Sequence, residues 1–217
     1  MMPKLCLYSE QLSCDARRID QLLLELIGKP RARIGFIPSA AAPGDAFYYS
    51  QREYYARLGA KLSPCVNLDQ RFVPQRIDEL LQCDAIHLSG GNTHHSLFWL
   101  RRRGLTALLL DYVERGGVLI GVSAGAIVMT PEIASCQLCG DERDIDLSDL
   151  CGLALTDFGF APHFGRAFDL AALQTFSRDR EPERIVYGCP DGAGIVIDGD
   201  RVQLVGDVVA VKAGVVQ

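Results

Sequence analysis

No apolar run in this 217-residue sequence approaches the ~18–20 residues needed to cross a membrane. Between Lys4 and the polar pair Ser9-Glu10 stand only Leu5 to Tyr8, too short a stretch for a signal-peptide core. The two absences predict a cytoplasmic protein with no membrane partner. Positive charge is not in excess either: 22 Lys and Arg face 27 Asp and Glu, a net charge of −5. Nucleic-acid proteins usually show a basic face, so no such partner is expected. Internal repeats, low-complexity tracts, charge blocks and Pro/Gly/Ser-rich linkers are all missing. One domain spanning 1–217 is therefore expected, long enough to bury a core without staples.

Cysteine, by contrast, is plentiful at eight residues, which a cytosolic chain should keep mostly reduced. Cys136 and Cys139 form a single CxxC, with Cys151 the only other close candidate ligand. A structural zinc site usually needs a second pair or nearby histidines. Cysteines of this kind more commonly pack as small hydrophobes. No metal and no cofactor are expected.

The apolar pattern alternates short β-rich runs with longer helical ones. Residues 4–8, 33–37, 61–68, 85–88 and 118–122 read as strands. Residues 16–27, 45–58, 75–82, 96–103 and 107–115 read as helices, with Asp45 a candidate N-cap and Gly59 a candidate C-cap. Such alternation implies an α/β fold, a three-layer sandwich with a mainly parallel sheet covered on both faces. Past Ser123, four short strands at 159–161, 184–189, 194–197 and 202–205 are expected to finish that sheet in antiparallel fashion. Asp198-Gly199-Asp200 marks a hairpin between the last two.

Ligands of open α/β sheets sit at the carboxyl ends of strands. Two strands here end in glycine-rich turns, Ser89-Gly90-Gly91-Asn92 and Gly121-Val122-Ser123-Ala124-Gly125-Ala126. The second is a G-x-S-x-G pattern between a buried strand and an apolar stretch. A chain that turns this sharply needs small residues on both sides of the serine. The turn projects the serine Oγ, and the Ala124 N–H points where an oxyanion would form. Ser123 is thus a candidate nucleophile, and a nucleophilic serine needs a base. Of the four histidines, His87 lies within a strand and reads as core, while His94 and His95 follow the Gly-Gly turn. His163, in Pro162-His163-Phe164-Gly165, is the only one downstream of the serine. An acid should hold the imidazole in its tautomer. Seven acidic residues lie between Ser123 and His163, among them Asp141 and Glu142, and their positions alone do not choose among them.

Together, Ser89-Gly90-Gly91-Asn92-Thr93, the Ser123 turn and Pro162-His163-Phe164 resemble the serine-peptidase family of dipeptidase E (aspartyl dipeptidase) and cyanophycinase. The likeness extends to Phe36-Ile37-Pro38-Ser39 and to Gly194-Ile195-Val196-Ile197-Asp198-Gly199. It implies a fold similar to class I glutamine amidotransferases and hydrolysis of small peptides, such as dipeptides with an N-terminal aspartate. Ser123 would be the nucleophile, His163 the base, and Gly91 the oxyanion donor beside Ala124. Spacing back from His163 places the acid at Asp141, with Glu142 second. Asn92 and Thr93 would line the substrate, and Asp191 would shape the pocket. Arg166 would supply a cation for the substrate carboxylate, with His94 or His95 as alternatives and a surface ion pair the plainer role. A cyanophycinase-like enzyme, another acyl hydrolase (esterase or amidase) and a non-catalytic peptide-binding relative are the competing functions. The cyanophycinase branch carries several arginines after its histidine, whereas Arg166 alone follows closely here. The sequence is compatible with a monomer or a homodimer.

Overall fold

The computed structural model describes residues 3–12, 16–39, 44–69 and 71–217, with residues 44–46 described by backbone alone. Of the five strands up to residue 122, four carry nearly continuous apolar sequence, as strands buried on both faces do, and the remaining one, at the sheet edge, is more polar and partly exposed. The five are β1 (Lys4–Tyr8), β2 (Arg33–Ile37), β3 (Lys61–Cys65), β4 (Ala85–Leu88) and β5 (Val118–Val122). All pair in parallel, in the order β3-β2-β4-β5-β1. β8 (Gly194–Asp198) adds to the free edge of β1 in antiparallel register, and β9 (Arg201–Val205) adds to β8, completing seven strands. The β8–β9 turn is the expected hairpin, with Gly199 at φ 65°.

Alternation along each strand divides the core into two. Leu5, Leu7, Ile86, Leu88 and Leu119 face α4 (Thr93–Arg102), α5 (Leu105–Glu114) and α6 (Ala124–Val128). Cys6, Tyr8, Ile34, Phe36, Ile120 and Val122 face α1 (Arg17–Ile27) and α2 (Gly44–Arg57) on the other side. A short helix, α3 (Arg76–Leu81), adds Leu80 to the first cluster. The result is the three-layer sandwich expected from the pattern. Helix starts move where the capping chemistry lies. α4 begins three residues early because the Asn92 side chain accepts a hydrogen bond from the His95 N–H. Gly59 does follow α2 in the left-handed conformation, at φ 78°. Asp45 falls inside the first turn of α2, and its side chain lies outside the described residues.

One expectation is corrected. β6 (Gly159–Pro162) and β7 (Ile185–Cys189) do not finish the main sheet. They pair in parallel with each other and, with β10 (Val209–Lys212) and β11 (Val215–Val216), make a second sheet of order β11-β10-β7-β6. β8 already occupies the open edge of β1. A parallel pair also needs a crossover connection, which α7 (Leu170–Arg180) supplies between β6 and β7. Leu173 and Phe176 of α7 pack on Ala161, Val186 and Val211 of this small sheet. Among the described residues no helix is long and apolar enough to cross a membrane.

Glu181, at the end of α7, is buried with its Oε1 unpartnered among the described residues, and its carboxyl packs against Gly159. Burial pushes its carboxyl up to about 7, with Arg184 opposing and Glu132 reinforcing the rise. The unfolded chain then loses this proton at lower pH than the folded one, so stability falls as pH climbs from the ordinary glutamate range through 7. Glu181→Gln is expected to flatten the thermal-stability profile between about pH 5 and pH 8 and to raise stability at the alkaline end by about 1–3 kcal/mol. Calorimetry of both proteins across that range checks it; a parent profile that does not fall would contradict it.

Candidate active site

The strand β5 ends at Val122, and the next residue turns into α6 with a backbone few side chains adopt: Ser123 has φ 49° and ψ −112°. Two glycines make the turn possible. A Cβ on Gly121 would strike the Ala126 backbone, and one on Gly125 would strike the Leu88 carbonyl at the end of β4. The Ser123 N–H donates to the Tyr8 carbonyl of β1 at 2.9 Å, and its own carbonyl accepts from the N–H groups of Ala126 and Ile127 at 2.9 and 3.0 Å. The residue is thus held from both sides while its hydroxyl stays free of the backbone ladder.

That hydroxyl meets His163. Ser123 Oγ lies 2.8 Å from His163 Nε2, and His163 Nδ1 lies 2.6 Å from Asp191 Oδ1. His163 follows β6 at φ 64°, and its carbonyl accepts from the N–H groups of Arg166 and Ala167, which close the turn after it. Asp191 arrives by register. Pro162 of β6 pairs with Cys189 of β7, so the residues just past each strand end side by side. Partial burial works to raise the Asp191 carboxyl, but hydrogen bonds from His163 and Arg166 outweigh it and hold the group below the usual carboxylate range. The site therefore joins the ends of β5, β6 and β7, two sheets meeting at one imidazole.

The acid beside the imidazole is thus Asp191, not Asp141 or Glu142. Those two serve the neighbouring turn. Asp141 Oδ2 accepts from the Thr93 N–H at 2.8 Å, and the Glu142 carbonyl accepts from Asn92 Nδ2 at 2.7 Å. The N-terminus of α4 presents unsatisfied N–H groups and the positive end of its dipole, which draw this acidic loop away from His163. The Asn92 side chain is thus engaged within the protein, whereas Thr93 is held by its N–H alone and its buried Oγ1 has no partner among the described residues. Gly90 packs against Ser123, a Cβ there lying 3.5 Å from the serine Cβ. Gly91 has φ 139°, and any side chain on it would meet the Ser39 hydroxyl. The turn so placed meets the nucleophile through Gly90 and Ser39 through Gly91.

The other sequence candidates fall outside the cluster. His87 is core, hydrogen-bonded to the Tyr55 hydroxyl at 2.8 Å, and burial pushes it down to about 3. His94 is buried 3.4 Å from Cys136 Sγ, and burial lowers its basicity. His95 pairs with Asp144 at 2.7 Å. Burial pushes the Cys136 and Cys139 thiols up to about 12, with Asp141 adding to the rise, so both are poor nucleophiles and ligands at neutral pH. Among the described residues no group of three His, Cys, Asp or Glu could hold a metal ion.

Sequence reasoning missed Ser9. Its buried hydroxyl accepts from the His163 N–H at 2.8 Å and donates to Asp191 Oδ1 at 3.4 Å. The available signal was its place one residue past β1, the strand beside β5. Arg166, expected at a substrate, instead donates from Nε to Asp191 Oδ2 at 2.5 Å.

Known proteins resemble this chain over most of its length. A model described as peptidase family S51 matches residues 7–205. An uncharacterized peptidase of Listeria monocytogenes is 26% identical over 172 residues, 78% of this chain and 83% of that one. A peptidase E of Nostoc sp. is 26% identical over 198 residues, 86% of this chain and 78% of its own. In fold, the crystal structure of a peptidase from an acI-B1 actinobacterium superposes with a TM-score of 0.72 at 22% identity, covering 100% of this chain and 93% of the other.

Two substitutions separate the carboxylates by role, read as the rate at which a fluorophosphonate labels Ser123. Asp191→Asn is expected to slow labelling by about 10³-fold or more, as loss of the tautomer-holding acid does elsewhere. Asp141→Ala is expected to cost about 1 kcal/mol of stability, the worth of a helix N-cap, and at most about tenfold in labelling. The reverse order would return the acid to Asp141.

Proposed function

The chain belongs to peptidase family S51, and on that premise we propose that it hydrolyses small peptides, dipeptides with an N-terminal acidic residue foremost, through an acyl-enzyme on Ser123. The observation that carries this reading is the unbroken line from Ser123 Oγ through both nitrogens of His163 to Asp191, at 2.8 and 2.6 Å. Peptidase E names among the relatives support the same general activity. The restriction to small acidic substrates rests on the likeness of the three motifs to dipeptidase E.

In the first step His163 Nε2 takes the Ser123 proton as Oγ attacks the scissile carbonyl carbon. Nδ1 keeps its proton, donated to Asp191, whose charge stabilises the imidazolium. The carbonyl oxygen becomes an oxyanion, received by the N–H groups of Gly91 and Ala124; one such donor is worth about 10²–10³ in rate. Collapse breaks the C–N bond as His163 returns its proton to the leaving amine. Water then repeats the sequence on the acyl-enzyme and releases the acid. Every proton in the cycle is moved by a group of this chain. Arg166, beside Asp191, is the cation that the site offers to a substrate carboxylate.

Hydrolysis of an Asp-X, Glu-X, Lys-X and Ala-X dipeptide panel tests this reading. The parent should favour Asp-X, and Ser123→Ala should lose about 10⁴-fold or more against the same substrate. Ser123→Ala that keeps its activity would sink the proposal. Ester turnover with no dipeptide cleavage would instead point to an esterase or amidase on the same scaffold.

A further inference from the structure

Arg166 touches two members of the catalytic line in a way that does not suit catalysis. Its Nε donates to Asp191 Oδ2 at 2.5 Å, and its Nη2 sits 2.6 Å from His163 Nδ1. Nδ1 is also 2.6 Å from Asp191 Oδ1. These contacts cannot all be hydrogen bonds at the same moment. A guanidinium only donates. Nδ1 accepts from Arg166 only without a proton and donates to Asp191 only with one. To take the Ser123 proton at Nε2, a neutral imidazole must carry its own proton on Nδ1. With Arg166 seated, that base-competent tautomer sets one N–H against another. The seated cation also offsets the Asp191 charge that the imidazolium needs. Arg166 therefore has to leave Nδ1 before Ser123 is activated, and it is free to do so, since its side chain is 61% exposed.

What would draw it off is an anion on the leaving-group side. The amine that departs is protonated at His163, so the residue it belongs to lies against that imidazole. If this residue is the last of the peptide, its carboxylate is two covalent bonds from the nitrogen. Arginine forks onto carboxylates with two parallel hydrogen bonds. We propose that Arg166 is a latch on the catalytic base, released by the C-terminal carboxylate of the leaving residue, and that it confines the enzyme to peptides whose scissile bond is the last. Of the two carboxylates of an Asp-X dipeptide, Arg166 thus reads the C-terminal one. A peptide that continues past the leaving residue, or is amidated there, has no charge at that point and leaves the latch closed. This rests on the Ser123–His163 reading above.

The test compares the parent with Arg166→Gln and Arg166→Lys by two measurements. The first is the rate of Ser123 labelling by a neutral fluorophosphonate, which needs no peptide. Arg166→Gln should label several-fold faster, because Nδ1 is released. The second is the ratio of kcat/KM for a dipeptide to that for its C-terminal amide. In the parent this ratio should be at least about tenfold, the worth of one charge-assisted hydrogen bond. In Arg166→Gln it should fall towards unity, and Arg166→Lys, charged but unable to fork, should lie between. Slower labelling of Arg166→Gln, or an unchanged ratio, overturns the latch. A parent that takes no label at Ser123 overturns the reading beneath it, so the two failures are distinct.

Discussion

Everything in this site depends on one residue being held where its backbone resists. Ser123 at φ 49° occupies a region that costs a non-glycine residue about 1–3 kcal/mol. The surroundings over-determine it. Its N–H is bonded to β1, its carbonyl to α6, and the glycines at 121 and 125 let β4 and α6 close on the turn. An alanine at either glycine would collide with main chain, which cannot step aside as a flexible side chain can. The strain sits one residue past a fully buried, apolar strand at the centre of the sheet, and its return is a hydroxyl held at that strand's carboxyl end.

The second sheet then meets that hydroxyl. The nucleophile and the Gly90-Gly91 turn belong to the seven-stranded sheet, whereas the base and the acid belong to the four-stranded one. Parallel pairing of β6 with β7 places His163 and Asp191 together, but it does not by itself place them near Ser123. Ser9 supplies part of that link. It extends from β1 in the main sheet and reaches both the His163 N–H and the Asp191 carboxylate. The same division accounts for the acidic loop at 140–146. It faces α4 in the main-sheet layer, where Asp141 and the Glu142 carbonyl brace the turn that carries Gly91.

Local chemistry was readable from the residues, and long-range pairing was not. Most of the parallel strands, the turn at Ser123 and the isolated His163 carry signals within a few residues of themselves: continuous apolar runs, flanking glycines, a proline before and a glycine after. Asp191 also has a proline before it and a glycine after, but nothing local ties it to His163. It stands 28 residues past His163 in sequence and reaches it only because a crossover helix lets β7 lie parallel to β6, a pairing that short apolar runs do not announce. Counting back from the histidine led instead to Asp141, whose carboxylate is claimed by the N-terminus of α4. Ser9 was hidden for a related reason: a lone serine after a strand has meaning only once the neighbour of that strand is known.

The central claim is that Ser123, His163 and Asp191 act as one unit, with Gly91 and Ala124 receiving the oxyanion. A crystal structure of the Ser123 phosphonate adduct measures this directly. The account predicts a tetrahedral phosphorus on Ser123 Oγ, its P=O oxygen within about 3 Å of both the Gly91 and Ala124 nitrogens, and His163 Nδ1 still bonded to Asp191. A phosphoryl oxygen turned away from Gly91, or an imidazole bonded to a different carboxylate in the adduct, would contradict it.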